Sequence, residues 1–282
     1  MPRPPPDGGD PLSWRMNGHF DKSLTVDLLG VPFTLAQDPA SHNLGTTVWD
    51  ASIVAAKMFE RNERRGDFAR ARLTGARALE LGAGVGLAGL ALAALGADVT
   101  LTDVASVLPL LKTNVDRNLS PPALAVSAPA WAAGAGACRV AELDWGDEGT
   151  WFPDRDRGGA DATKPYDVVV ACDCIYKETA VPAFVAALLA HTGKRTTILV
   201  ANELRSHSVA AAFDAAVAPH FAVRRVPRAR QHPDYQHENI QLLMLKRKSE
   251  RGAGVEAAVE GVAGLSVGGG EEGEEGGKRR EP

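Results

Sequence analysis

With 282 residues, 45% of them hydrophobic and 23% charged, the chain has the balance of a soluble globular protein able to bury one good core. A formal net charge of -4 gives no strongly basic footprint of the kind nucleic-acid binding asks for, and leaves only local basic patches open. Three cysteines are too few, and odd in number, for a disulfide framework, and point to a reducing compartment, the cytoplasm or the nucleus.

In chain order, MPRPPPDGGD is rich in proline and glycine and carries no apolar segment, so it reads as neither signal peptide nor anchor. Residues 1–16 are expected to be disordered. SLTVDLLG and VPFTLAQ alternate apolar and polar positions and predict an N-terminal β-hairpin. ARALEL, ADVTLTD, CRVAEL, YDVVVACD, RTTILVAN, FAVRRV and NIQLLMLK are seven strand candidates. The helical patterns LAGLALAAL, VLPLLKTNVDRNL and VPAFVAALLAH fall between the early ones, and SVAAAFDAAVAPH precedes FAVRRV. Near-continuous apolar strands imply burial on both faces, as in a mainly parallel sheet covered by helices. The last two strands are joined through PRARQHPDYQHE without a helix, which suits an antiparallel last strand. The expected fold is α/β and Rossmann-like: a seven-stranded mainly parallel sheet with an antiparallel last strand, helices on both faces, and the hairpin. The apolar run LAGLALAALGADV is too short and broken to span a bilayer. From Ser249 onward the chain has no aromatic residue and runs into GLSVGGGEEGEEGGKRREP. That composition predicts a disordered Gly/Glu-rich tail, residues 249–282, after a domain at 17–248.

RALELGAGVGLAGLALAALGADVTLTD carries the strongest motif. A strand runs into a glycine loop and a helix follows, so backbone can approach a ligand closely and amides at the helix start face it. Asp103 closes the next strand, where a carboxylate can accept hydrogen bonds from ribose hydroxyls. Two patterns fit the same letters. Gly84, Gly86 and Gly89 spell the dinucleotide fingerprint G-x-G-x-x-G. Glu80, Gly82, Gly84 and Gly86 spell E-x-G-x-G-x-G, by which Class I methyltransferases bind S-adenosylmethionine. Glu80 would sit poorly beside a pyrophosphate but suits the ammonium of a methionine group, which favours the second pattern. A third reading has the glycines serving helix–strand packing alone.

Trp49, in LGTTVWDAS, stands at the start of a helix leading toward the glycine loop, and Trp145, in AELDWGDE, lies just past the third strand. An indole on the carboxyl edge can cover an adenine, with Asp144 beside it; equally, both can seal the core. The fourth strand ends in ACDCIY, so Asp173 should emerge at the same edge with Tyr176 close behind. A carboxylate and a phenol can hold an amine in line for methyl transfer. Strand alternation puts Cys172 and Cys174 together, on the side opposite Asp173, Cys172 as a small residue lining the cofactor and Cys174 as packing.

LGTTVWDAS, ELGAGVGLAG, VTLTD, ELDWG and a strand ending in D-x-x-Y, in this order, resemble the nonhistone protein-lysine methyltransferases of the seven-β-strand class, over about residues 24–248. The resemblance implies contact with S-adenosylmethionine at Trp49, Gly82, Ala83, Gly84, Asp103, Trp145 and Cys172. It also implies a protein lysine as acceptor, with Asp173 and Tyr176 carrying the chemistry. Cysteine at 172 departs mildly from the small residue usual there. A small-molecule amine methyltransferase is the nearest alternative; a nicotinamide-dependent dehydrogenase and a non-catalytic cofactor-binding scaffold stand further off.

His232, Asp234, His237 and Glu238 have no zinc-like spacing and read as a solvated loop, so no metal is expected. Arg224, Arg225, Arg228 and Arg230 read as exposed charges on a loop, with docking of an acidic substrate surface the weaker alternative. Glu203 and Arg205, after the fifth strand, are weighed as lining the substrate side of the pocket and are not counted among the site residues. The partner expected is a protein substrate, with no nucleic acid and no membrane, and the chain is expected to act as a monomer.

Overall fold

The computed structural model describes residues 21–120, 134–151 and 164–249. The disorder expected of residues 1–16, and of the tail beyond Ser249, falls outside them. β1 (Ser23–Leu28) and β2 (Val31–Ala36) form the hairpin, a two-stranded antiparallel sheet of its own. Its two turn residues, Leu29 and Gly30, have φ of 56° and 79°, the mirror-type turn that follows the natural strand twist. Leucine is strained there, and the Glu60 carboxylate holds it by accepting the Leu29 amide at 2.8 Å.

The large sheet holds β3 (Arg77–Leu81), β4 (Asp98–Asp103), β5 (Cys138–Glu142), β6 (Val168–Cys172), β7 (Thr197–Glu203), β8 (Phe221–Arg225) and β9 (Ile240–Arg247). Their order is β5-β4-β3-β6-β7-β9-β8. The first five in this order pair parallel, whereas β9 slots between β7 and β8, antiparallel to both. The connection from β8 to β9 holds only one 3-10 turn, Arg228–Arg230, and no α-helix to carry a parallel crossover, so β9 comes back antiparallel.

Strand side chains alternate between two cores. Val99, Leu101, Val168, Val170 and Leu199 share one with α1 (Asp50–Arg61), α3 (Leu87–Ala94), α4 (Leu108–Leu119) and the hairpin. Leu79, Leu81, Val169, Ala171 and Val200 face the other, with α5 (Val181–His191) and α6 (His207–Val217). A short helix, α2 (Arg70–Leu73), precedes β3. Every residue of α3 is buried. It lies so close to β4 that a Cβ at Gly89 would come within 2.3 Å of Leu101. The packing reading of the glycines therefore holds at Gly89.

The hairpin docks on α4 through two buried asparagines. Asn114 accepts the Ala36 amide at 2.7 Å and donates to the Ala36 carbonyl at 3.1 Å; Asn118 does the same for Thr34 at 2.9 and 3.0 Å. These side chains imitate a neighbouring strand and satisfy the free edge of β2. Asn114 also donates to the Val85 carbonyl at 3.1 Å, so it ties the hairpin to the glycine loop. Asn114→Ala should therefore strand buried backbone groups and lower unfolding stability by about 2–3 kcal/mol, read as the urea midpoint with an unchanged slope.

Candidate active site

The strand order reverses between β3 and β6, since β4 and β5 lie on one side and β6 and β7 on the other. Open α/β sheets bind ligands outside the carboxyl ends of the strands at such a switch point. A cavity of about 480 Å³ opens there. Gly82, Ala83 and Gly84 line it from the end of β3, Asp103 from β4, and Leu143 to Trp145 from the end of β5. Cys172 to Cys174 and Tyr176 enter from β6, Arg205 from beyond β7, and Trp49 from the start of α1.

The glycine loop is held open to the cavity by backbone geometry. Gly82 has φ 62°, and a Cβ there would come within 2.8 Å of the Cys174 sulfur and 3.1 Å of the Trp145 ring. Gly84, at φ 56°, is packed against the Gly45 carbonyl, where a Cβ would sit 3.1 Å away. Gly82 belongs to the E-x-G-x-G-x-G pattern and not to G-x-G-x-x-G, so the demand on it favours the former.

Glu80 is not brought to the cavity, which corrects the expectation that it meets the cofactor's ammonium group. Its side chain turns into the core, 1% exposed, and accepts the Gly89 amide at 2.8 Å. Gly89 is the third residue of α3, whose cap, Gly86, has no side chain, so Glu80 caps the helix from the preceding strand. Burial pushes its carboxyl up from an ordinary 4.5 to about 8; the Gly89 hydrogen bond opposes this and the Asp103 charge adds to it.

Asp103 accepts the Gly84 amide on Oδ2 and the Val104 amide on Oδ1, both at 2.8 Å. Burial raises its pKa, with the two amide bonds opposing. Trp49 donates its indole N–H to the Leu44 carbonyl at 2.8 Å and so anchors residues 43–47 along the cavity wall. Trp145 lines the cavity, and its ring meets Phe184 of the second core edge-on at 5.0 Å, so it also seals that core. Asp144 lines the cavity beside it.

At the end of β6 strict alternation fails. Asp173 has φ 60°, so the chain swivels there; Cys172 faces the first core and Cys174 the second. The expectation that both cysteines share a side is thereby overturned. Cys174 lines the cavity as well as packing, donating to the Leu81 carbonyl at 3.3 Å. Burial pushes both thiols well above their usual range, so neither is a nucleophile. Asp173 is almost fully enclosed, its side chain 2% exposed, whereas Tyr176 stands at the mouth, 43% exposed. Partial burial, with the Asp103 carboxylate adding to it, raises the Tyr176 phenol and keeps it protonated.

A family model described as lysine methyltransferase matches residues 31–216. The chain belongs to the lysine methyltransferase family. This lysine methyltransferase is 31% identical over 171 residues to protein N-lysine methyltransferase METTL21A of Danio rerio, an alignment covering 61% of this chain and 66% of that one. It is 28% identical over 204 residues to EEF1A lysine methyltransferase 3 of Mus musculus, covering 72% and 75%. The T. thermophilus 16S rRNA N2 G1207 methyltransferase RsmC, solved with AdoMet and guanosine, matches with TM-score 0.50 and 15% identity over 80% of this chain and 50% of that one. That likeness is one of fold alone. S-adenosylmethionine is the cofactor of this lysine methyltransferase, and the cavity suits it: side-chain-free backbone at Gly82 and Gly84, a carboxylate at Asp103 and an indole at Trp145.

Arg205, weighed from the sequence as a pocket-lining residue but left outside the predicted site, does line the cavity. It pairs with Asp173 through both carboxylate oxygens, at 2.9 and 2.7 Å. Its only signal is its position just beyond the carboxyl end of a central strand. Leu44 and Gly45 open the LGTTVWDAS block but are not among the predicted site residues; Trp49 and the Gly84 contact bring them to the cavity. Among the described residues no group of His, Cys, Asp and Glu could hold a metal.

Glu80 generates a pH prediction. Its carboxyl is harder to ionise folded than unfolded, so its stabilising neutral form is fully present below about 4.5 and lost as pH rises toward about 8. Glu80→Gln keeps an acceptor for the Gly89 amide but cannot ionise. Its urea midpoint should vary less than the wild type's between about pH 5 and about pH 8, with its relative advantage greatest at the upper end.

Proposed function

We propose that this lysine methyltransferase modifies lysine side chains of a nonhistone protein, with Asp173 and Tyr176 as the residues that hold the acceptor amine. Trp49, Gly82, Ala83, Gly84, Asp103, Trp145 and Cys172 enclose S-adenosylmethionine in this reading, and Glu80 supports the loop from behind. The observation that carries it is the depth profile of one cavity: a carboxylate 2% exposed at its floor and a phenol 43% exposed at its mouth. A slender lysine side chain carried on a bulky protein can reach such a floor while the protein itself stays outside. Both relatives named above are called lysine methyltransferases, and one is named for EEF1A.

When bound, S-adenosylmethionine supplies a methyl group on a sulfonium, which requires the acceptor nitrogen to be uncharged. Burial at the floor disfavours the ammonium, and the Asp173 carboxylate, already paired with the Arg205 guanidinium through both oxygens, does little to offset that. Asp173 accepts an N–H of the amine and Tyr176 offers a hydroxyl at the mouth, so the nitrogen is held in one orientation. The indoles of Trp49 and Trp145 present π faces that tolerate positive charge. We assign the enzyme to the cytoplasm or nucleus as a monomer that acts on protein and not on nucleic acid. The net charge of -4 and the free cysteines among the described residues support this. Among the described residues no helix is long and apolar enough to cross a membrane.

Incubation of the enzyme with methyl-labelled S-adenosylmethionine and a cell extract should label a protein band. Asp173→Ala should weaken that band on the order of 100-fold, the size of loss when one preorganised polar group leaves a site. Label confined to small molecules would remove the protein acceptor, and no label at all would favour a scaffold. S-adenosylhomocysteine, unlike NADH, should raise the melting temperature.

A further inference from the structure

Resting on the reading of Asp173 above, we infer that Arg205 is a positioning residue that turns the Asp173 carboxylate so that a single acceptor position remains for the amine. Arg205 Nη1 donates to Oδ1 at 2.9 Å and Nη2 to Oδ2 at 2.7 Å, a two-pronged contact that fixes the plane of the carboxylate. The Glu203 amide donates to Oδ1 as well, at 3.2 Å. A carboxylate offers four lone-pair positions. Two are taken on Oδ1 and one on Oδ2, which leaves one, on Oδ2, in a side chain that lines the cavity.

The guanidinium is itself held on two other sides. Nη2 also donates to the Glu203 carboxylate at 2.8 Å, and the group lies over the Trp49 ring, 5.0 Å from its centroid. Arg205 thus joins the Asp173 floor to the Trp49 wall. Burial pulls the guanidinium pKa down, but its hydrogen bonds and the Asp173 and Glu203 charges outweigh that and raise it, so the guanidinium stays charged. The turn carrying Asp173 is stapled to the same strand end: Asn202 accepts the Ile175 amide at 2.9 Å and donates to the Ile175 carbonyl at 3.0 Å. These contacts hold a non-glycine residue at φ 60° and fix where its carboxylate emerges. Lysine cannot replace Arg205 fully, since an ammonium is a point charge without the planar fork.

Arg205→Met and Arg205→Lys, in the full chain, should retain S-adenosylhomocysteine binding. Transfer of labelled methyl to extract protein at saturating S-adenosylmethionine should fall about 100-fold in Arg205→Met, as expected for a reacting group misplaced by about 1 Å, and less in Arg205→Lys. The S-adenosylmethionine half-saturation should change far less than the maximal rate. Millimolar methylguanidine should restore part of the rate to Arg205→Ala, a response that a purely structural role would not give. A wild-type rate in Arg205→Met would overturn the inference, as would a loss confined to S-adenosylmethionine half-saturation. If Arg205→Met and Arg205→Ala fail to fold, Arg205→Lys decides: a reduced rate with intact S-adenosylhomocysteine binding supports positioning, and an unchanged rate refutes it. If the wild type labels no protein, the protein acceptor fails by itself. Arg205 is then judged by melting temperatures of Arg205→Lys, Asp173→Asn and their double variant, where non-additive shifts support the pairing and additive shifts refute it.

Discussion

Glu80 accepts the Gly89 amide at 2.8 Å, and this buried hydrogen bond sets the shape of everything at the carboxyl edge of β3. A helix whose cap residue is glycine has no side chain of its own to satisfy its first amides. Glu80 supplies that acceptor from the strand before the loop, and so joins the two ends of the five residues between them. Gly82 and Gly84 can then bare their backbone to the cavity, because both ends of the loop are held. The same carboxylate lies in the field of Asp103, whose oxygens take the Gly84 and Val104 amides. One buried acid thus braces the loop from below while another braces it from the side.

The opposite wall depends on a second carboxylate arrangement. Asp173 lies at the end of a strand whose every residue is buried, and its backbone swivels to φ 60°. A carboxylate enclosed to this degree is costly without a partner, and the partner arrives from the next strand as the Arg205 guanidinium. Asn202 and the Glu203 amide complete the clamp. The end of β7 therefore does for the acceptor side what Glu80 does for the glycine loop: it fixes backbone that would otherwise have several conformations.

The hairpin looks peripheral, yet it reaches the cavity through one side chain. Asn114 bonds both polar groups of Ala36 and also the Val85 carbonyl. Beyond the hairpin, the Ser41 hydroxyl pairs with that of Thr46, and the Trp49 indole closes on Leu44. Residues 43–47 are thereby laid against Gly84. The wall they form combines local contacts, from Ser41 to Thr46 and from Trp49 to Leu44, with the long-range packing of Gly45 on Gly84.

The hydrophobic pattern determined much by itself. Seven apolar runs became seven strands, and the helix-free link before the last run became the antiparallel β9. Near-continuous apolar runs and a connection without an α-helical pattern are local properties, so they are legible in letters alone. The same holds for the arrival of Asp103, Trp145, Asp173 and Tyr176 at the cavity, since parallel strands deliver their carboxyl ends to one edge whatever the loops do. Orientation at strand ends was decided only by tertiary structure. Glu80 turned inward because an uncapped helix start lay beneath it, and Cys172 and Cys174 parted because Asp173 left the strand conformation. Arg205 gained its partner from a strand about thirty positions away. Such pairings depend on which buried groups meet across the sheet, and linear spacing carries no term for that.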